Sequence, residues 1–450
     1  MSHSRREFLI TGTGVAVGAL LPDVFRETAA AAPKSDRPGG RETVLVVIQL
    51  TGGNDGLNTV IPFNDPVYLS ERPKLKQPAA SVHKIDSELA FHPVMSGFSK
   101  LLEDSKLAVV QGVGYPNPNR SHFESMDIWH RGLVPKLQLG NESERYGWIG
   151  RSLPKLGGSG AAIHIGDGDG PLALFSTTGH APALKSLQDY QLRLGTGPSA
   201  ESKRKLIERL AAPHVADAAS VRNIRGAGRI RGRWQRPPRG TKSSNGLLDL
   251  VRSSARQTYE SSQRMQKAAK DLKGKEATGY PQTGLANRLK LMARLIDAGV
   301  PERVYYTSLD GFDTHAAQAK THPNLLRELS DAVAAFYKDV KGHGHHKRVL
   351  VMTFSEFGRR VRENGSDGTD HGAASQMFLV GDAVKPGPIG KHPSLSDLVN
   401  GDLKFHTDFR SVYATVLKQW LHVEPEPILG RKFPLLPLFA KTALRGRRVS

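Results

Sequence analysis

Carboxylate and imidazole side chains cluster in one glycine-rich stretch late in the chain, residues 349–372. The stretch begins with the apolar run Val349–Phe354, which has the composition of a buried parallel strand. Glu356 stands just past that run, and Asp370 and His371 follow a Gly-rich turn. These are ligand types that divalent transition metals take in proteins. The stretch is therefore a candidate metal site at a strand end, although Glu356 is equally placed to pair with a nearby arginine.

Three more apolar runs are followed by polar groups of the same chemical class. The runs are residues 44–50, 107–112 and 304–309. Asp55 follows the first run in a Gly-rich turn, Ser121 comes after the second, and both Asp313 and His315 come after the third. Because strands alternate with helices, the expected sheet is parallel and its carboxyl ends meet at one edge. We therefore predict that these groups converge with those of the late stretch in one cleft.

The segment around Ser121 has two interpretations that are compatible with each other. Prolines and asparagines end there, and Glu124 lies three residues on, so Ser121 is the predicted N-cap of a helix in a capping box. The free N–H groups and dipole at such a helix start also favour an alkoxide or a bound oxyanion. Ser121 is therefore a candidate nucleophile, and the neighbouring Arg120 would contact the anionic ester.

Composition excludes several classes of protein. The chain has 450 residues and a formal net charge of +20, but no cysteine, which rules out thiolate nucleophiles and Cys-ligated metal. Much of the positive charge lies in two places, an Arg-rich segment at residues 222–240 and a basic tail at 441–450. Only Trp234 interrupts the first, whereas single-strand readers interleave aromatic residues, so no nucleic-acid partner is expected.

The N-terminus predicts an export route. Arg5 and Arg6 form a twin-arginine pattern, followed by a weakly apolar run and small residues that suit a cleavage site after residue 31. The apolar run is too short and Gly-rich for a stable membrane span. The expected partner is the twin-arginine translocase, and the expected location is periplasmic or extracellular.

The predicted organisation is a single large domain with additions. Residues 1–31 are the signal peptide and 32–42 a linker. Residues 43–440 form the domain, in which 200–282 is a helical insertion containing the Arg-rich segment 222–240, interpreted as flexible because it has no apolar periodicity. The basic tail 441–450 follows.

Seven sequence strings together resemble the DUF1501 family over nearly the whole mature chain. They are V-I-Q-L-T-G-G-N-D-G-L-N-T-V-I-P at 47–62, Q-G-V-G-Y-P-N-P-N-R-S-H-F-E-S-M-D-I-W at 111–129, G-W-I-G-R at 147–151, G-F-D-T-H at 311–315, S-E-F-G-R at 355–359, G-T-D-H-G at 368–372 and D-F-R-S-V-Y-A at 408–414. The family is grouped with the alkaline-phosphatase and sulfatase superfamily. The resemblance therefore implies an α/β/α sandwich and one or two divalent ions, for which zinc, calcium and manganese are the candidates.

The superfamily resemblance also implies roles for individual residues. Asp55 matches the Asp that follows the first strand, and Ser121 matches the nucleophile at a helix start. Asp313 and His315 stand in for the distal Asp and His of one metal, and Asp-His-Gly at 370–372 resembles the set for the other. Two features depart from the pattern: Glu356 occupies the place directly after its strand, and the spacing from 313 to 315 is tighter than usual.

The expected function is an exported metal-dependent hydrolase of phosphate or sulfate esters, acting on a small molecule or a polysaccharide. The catalytic candidates are Ser121 and Arg120. The metal candidates are Asp55, Asp313, His315, Glu356, Asp370 and His371. A serine precursor of formylglycine stays open, whereas a cysteine precursor is excluded. The alternative is an inactive exported protein of the same fold that binds or scaffolds anionic polysaccharide. A serine hydrolase ranks third, since no G-x-S-x-G is present.

Overall fold

The computed structural model describes residues 42–133, 145–168, 170–177, 179–185 and 279–440. These residues fall within one compact unit, 38–191 together with 264–450. The predicted signal peptide, Arg-rich segment and basic tail lie outside the described residues, as do the linker up to 41 and the helical insertion up to 278. Across the described ranges, no helix combines the length and the apolar character that crossing a membrane requires.

A nine-stranded sheet forms the centre of the described unit. Its strands are β1 (Val44–Thr51), β5 (Leu107–Gly114), β6 (Ala162–Ile165), β9 (Ala183–Leu184), β10 (Val304–Asp310), β11 (Val349–Phe354), β14 (Ser375–Val380), β15 (Gly387–Ile389) and β18 (Thr407–Asp408). The order across the sheet is β15-β5-β14-β11-β1-β10-β6-β9, with β18 also paired to β5. The four longest predicted strands all formed, because each is an apolar run buried on both faces.

One of the nine strands, β14, runs opposite to the others. β1 pairs in parallel with both β10 and β11, and β10 with β6. β14 runs antiparallel to β11 and to β5, so β5 has the same direction as β11. The carboxyl ends of β1, β5, β10 and β11 therefore meet at one edge, and the predicted mostly parallel sheet is confirmed.

Short strands surround that edge. They are β2 (Val60–Ile61), β3 (His83–Lys84), β4 (Ala90–Phe91), β7 (Phe175–Ser176), β8 (Gly179–His180), β12 (Arg359–Glu363), β13 (Thr369–His371), β16 (Leu398–Val399) and β17 (Asp402–Leu403). β12 and β13 form an antiparallel pair, as do β16 and β17. Asp370 and His371, which follow the Gly-rich turn, lie on β13, and this strand pairs with β12.

Helices cover both faces of the sheet. They are α1 (Pro66–Glu71), α2 (Ser96–Glu103), α3 (His122–Arg131), α4 (Trp148–Leu156), α5 (Gly284–Asp297), α6 (Gln318–Gly342), α7 (Phe409–Thr415) and α8 (Glu426–Leu429). One apolar core packs α3, α4, α7 and α8 against one face, and a second packs α2, α5 and α6 against the other. Alternate residues of β1 serve the two cores, as the period of a strand requires. The described unit is an α/β/α sandwich, as expected.

Two helices begin at polar residues, and the start at Ser121 was predicted. Asp408 caps α7 by accepting from the backbone N–H of Arg410, and a π-helical segment Val416–Leu421 follows. Ser121 is the N-cap residue of α3, but its side chain makes no capping hydrogen bond. Glu124 accepts from the side-chain amide of Asn119 instead of closing the predicted capping box.

Candidate metal centre

Three side chains direct metal-binding atoms at one point on the carboxyl edge of the sheet. They are His122 at the start of α3, Asp313 after β10, and His371 at the end of β13, and their ligand atoms lie within 4.8 Å of one another. His371 Nε2 is 3.1 Å from Asp313 Oδ1, and His122 Nε2 is 3.4 Å from Asp313 Oδ2. Two imidazoles and a carboxylate make a donor set of the kind that transition metals bind.

His315 adds a third imidazole to this group. Its Nε2 lies 2.9 Å from His371 Nε2 and 3.1 Å from Asp313 Oδ1. Its Nδ1 lies 3.5 Å from Asp370 Oδ1. Asp370 is about half exposed and accepts from Asn364 at 3.1 Å, so it contacts the group through His315. We call His122, Asp313, His315 and His371 the metal centre.

Hydrogen bonds fix the orientation of two imidazoles. His122 Nδ1 donates to Glu356 Oε1 at 2.9 Å, and His371 Nδ1 donates to the backbone carbonyl of Arg120 at 2.8 Å. Because carboxylate and carbonyl oxygens only accept, each Nδ1 carries a proton and each Nε2 of a neutral ring presents its lone pair. His122 Nε2 is buried and has no hydrogen-bond partner. This orphaned atom, aimed at the carboxylate of Asp313, fits a metal ligand held by outer acceptors.

Glu356 supports the centre from behind. Its side chain is fully buried, and besides His122 it accepts from the backbone N–H of Gly52 at 2.8 Å and from Ser355 Oγ at 3.1 Å. Its two oxygens are therefore committed to protein donors. Glu356, predicted as a metal ligand, instead contacts the centre through its hydrogen bond with His122.

The charge of the centre suits a cation. Burial works to raise the pKa of Asp313, but the hydrogen bond and charge of Arg359, with the neighbouring imidazoles, outweigh it and bring the pKa to about 2, so the carboxylate is ionised at neutral pH. Burial lowers the pKa of His371, which favours its neutral form. The hydrogen bond to Glu356 raises the pKa of His122, so a metal would compete with a proton there.

Arg359 joins the strand ends that carry the centre. Its guanidinium is fully buried and donates to Asp313 Oδ1 at 2.8 Å. Its other acceptors are the backbone carbonyls of Gly52, Gly53, Phe312 and Thr369. These carbonyls follow β1 and β10 and begin β13, so one side chain holds three separate segments in register. A buried, fully bonded guanidinium of this kind is structural.

Asp55 is not brought into the metal centre. It is completely buried and forms a two-pronged ion pair with Arg72, at 2.6 and 3.1 Å, and Gln318 also donates to it. Burial works to raise the pKa of Asp55, but Arg72 outweighs that effect and the pKa is lowered. Its oxygens face protein donors, and a metal would have to displace Arg72 to reach them.

The two catalytic candidates flank the centre. Ser121 is exposed, and its Oγ forms no hydrogen bond with any described residue. It lies between Arg120, whose carbonyl accepts from His371, and His122 of the centre. The Arg120 guanidinium pairs with the buried carboxylate of Asp402. Both candidates are therefore consecutive residues that directly precede α3 and His122 of the centre.

Sequence reasoning missed His122 as a ligand. The residue stands next to Ser121, and an imidazole directly beside a candidate nucleophile was the available signal. That signal is weak, because the role of His122 depends on Glu356, which lies 234 positions later in the chain.

A family model matches part of the chain. Residues 237–427 match the model described as Protein of unknown function (DUF1501). The resemblance to the DUF1501 family is confirmed. No curated protein matches this sequence.

Solved structures with a similar chain path include sulfatases and alkaline-phosphatase superfamily members. A sulfatase from Pseudoalteromonas sp. has 12% identity and a TM-score of 0.36, covering 84% of this chain and 67% of that one. An alkaline-phosphatase superfamily protein from Vibrio parahaemolyticus has 10% identity and a TM-score of 0.37, covering 90% and 72%. The periplasmic domain of EcEptC from Escherichia coli, in complex with zinc, has 9% identity and a TM-score of 0.34, covering 76% and 74%. Similarities this low carry no argument about activity.

Proposed function

We propose that this protein is an exported, metal-dependent hydrolase of phosphate or sulfate esters. The observation that carries the proposal is the metal centre with two oriented imidazoles, one of which belongs to His122, the residue directly after the exposed Ser121. Both lie at the carboxyl edge of the sheet, where α/β proteins bind ligands. The proposal rests on this arrangement and not on the similar solved structures.

The donor set indicates which ion the centre would hold. Three imidazoles and one carboxylate suit zinc or manganese better than calcium, which takes oxygen ligands. One such group is found among the described residues, so we propose one ion, held by His122, Asp313 and His371 with His315 alongside. When bound, the ion would polarise the ester and offset its negative charge.

Ser121 is the proposed nucleophile. Its Oγ would form a bond to phosphorus or sulfur while the bond to the alcohol oxygen breaks. The Oγ proton would pass to solvent, to which the residue is open, and the departing alkoxide would take up a proton from solvent. Water would then release the acid from Ser121. The N-terminus of α3 favours negative charge at this position. Arg120 would contact the oxygens of the ester, with Asp402 holding its guanidinium in place.

The proposed site of action is the periplasm or the cell exterior, reached through the twin-arginine translocase. This part of the proposal rests on Arg5, Arg6 and the small residues near 31. Because that translocase carries folded proteins, the metal could be loaded in the cytoplasm before export.

The test measures metal content and turnover separately. Purified protein is loaded with zinc, manganese or calcium and assayed with 4-nitrophenyl phosphate and 4-nitrophenyl sulfate. We expect His122→Ala to lose bound metal and turnover, and Ser121→Ala to keep metal but lose turnover. His343→Ala is the matched control, since this exposed histidine after α6 lies outside the centre.

Two outcomes would contradict the proposal in different ways. Wild-type protein that binds no metal at the centre would remove its basis. Protein that binds metal through His122 but hydrolyses neither ester would favour an inactive protein that binds or scaffolds anionic polysaccharide.

A further inference from the structure

Two arginine side chains share one buried carboxylate beside the metal centre. Asp402 lies on β17, and its side chain is only 4% exposed. Arg120 Nη2 donates to Asp402 Oδ2, and Arg360 Nε lies 3.6 Å from Asp402 Oδ1. The three side chains together carry a net charge of +1.

The two guanidiniums are partly exposed, and the contact between Arg360 and Asp402 is loose. Both arginine side chains are more than a third exposed, at 38% for Arg120 and 37% for Arg360. Arg360 Nε and Asp402 Oδ1 are buried without a hydrogen-bond partner, because 3.6 Å is longer than a hydrogen bond. Arg72 and Arg359 differ in both respects, since their guanidiniums are fully buried and bonded on several sides.

The backbone places this pair next to the metal centre. The carbonyl of Arg120 is the acceptor for His371. Arg360 follows Arg359, which binds Asp313 and pairs in register with His371 across β12 and β13. Arg120 therefore contacts the metal centre through its own backbone carbonyl. Arg360 is linked to the centre through the preceding residue, Arg359.

We propose that Asp402 holds Arg120 and Arg360 as a two-arginine anion site, so that the substrate is an ester carrying a second negatively charged group. Arg120 takes the ester that is cleaved, and Arg360 takes the second sulfate, phosphate or carboxylate. Guanidinium groups suit these planar or tetrahedral anions because they donate several N–H groups in a fixed fork. The assignment of the cleaved ester rests on the proposed function, whereas the binding of a doubly charged ligand does not.

Asp402 has a positioning role in this site. Without the Asp402 carboxylate between them, the two positively charged guanidiniums would repel each other and move apart. With it, the pair keeps a single positive charge for the ligand. Burial raises the pKa of Asp402, but the pairing with Arg120 acts in the opposite direction.

The experiment compares a singly and a doubly sulfated disaccharide of the same sugar sequence. Binding to the full, zinc-loaded protein is measured by calorimetry, without any need for turnover. We expect wild-type protein to bind the doubly sulfated probe about tenfold or more tightly than the single one, the size of one charge-assisted contact. Arg360→Ala should remove that preference and leave binding of the singly sulfated probe nearly unchanged.

Arg362→Ala is the matched control, since this residue lies two positions along β12 and is 84% exposed. It removes the same charge from the same strand and should keep the preference. Asp402→Asn should reduce the preference, and a lower binding constant with unchanged metal content would show that it acts through the arginines.

Equal affinity of wild-type protein for the two probes would overturn the inference. So would an equal effect of Arg360→Ala and Arg362→Ala, which would indicate general attraction between charges. A clear preference in protein that hydrolyses no ester would support the anion site and contradict the hydrolase proposal alone.

Discussion

Replacing Glu356 by glutamine should weaken metal binding while leaving the fold intact. Glutamine has the same shape, and its Oε1 can still accept from the N–H of Gly52 and from His122 Nδ1, both of which bind one oxygen of Glu356. Its amide nitrogen would face Ser355 Oγ, which could accept once the hydroxyl proton turns from residue 356 to the carbonyl of Leu50, 2.8 Å away. The substitution therefore removes the charge behind His122 and keeps the hydrogen bonds.

The expected size of the effect follows from that lost charge. Removing an outer acceptor of a metal-binding histidine typically costs about 10- to 100-fold in affinity, or ~1.4–2.7 kcal/mol. Zinc at about 100 times its dissociation constant stabilises the wild type by ~2.7 kcal/mol. At the same zinc concentration, the Glu356→Gln variant should gain only ~0.4–1.4 kcal/mol.

Two measurements check this prediction. Competition with a zinc chelator gives the affinity, and urea denaturation with and without zinc gives the stabilisation. In metal-free protein the variant and the wild type should unfold at nearly the same urea concentration. Unchanged zinc affinity in a folded variant would refute the assignment of His122 as a ligand supported by Glu356.

Three further predictions concern other parts of the chain. Burial lowers the pKa of His130 to about 3 from 6.5. Below pH 6.5 the unfolded chain therefore takes up a proton that the folded protein refuses, and the wild type should lose ~2 kcal/mol relative to His130→Gln on going to about pH 5. Urea titrations of both proteins near pH 7 and near pH 5 check this. An equal change in the free energy of unfolding of the two proteins would contradict it. Asp55→Asn should lower the free energy of unfolding by ~3–5 kcal/mol by leaving Arg72 buried without its partner, while the folded fraction keeps its zinc stoichiometry; a lost zinc would restore Asp55 as a ligand. Arg5→Lys with Arg6→Lys should leave unprocessed precursor in the cytoplasm, as fractionation and N-terminal sequencing would show, and normal export of the double variant would exclude the twin-arginine route.

Much of the sheet could be predicted because its strands are buried on both faces. Val349–Phe354 is apolar at every position except Thr353, a pattern that a surface strand would not show. Alternation with helices then implied a common direction, which predicts Asp313 and Glu356 at one edge, as the structure has them. The antiparallel direction of β14 could not be read from its apolar composition, which carries no information about polarity.

The amino-acid sequence by itself determined which chemical groups reach the carboxyl edge of the sheet. Only the tertiary structure decided how they are divided between metal, protein and solvent. Asp55 and Asp313 look alike in sequence, each in a turn after a buried strand, but Arg72 closes over one while three imidazoles face the other. His122 acquires its role from Glu356 across 234 positions of chain. Whether a side chain binds a protein group or stays free for an ion depends on which groups lie within about 3 Å of it. For segments far apart in sequence, the packing of the whole fold sets those distances.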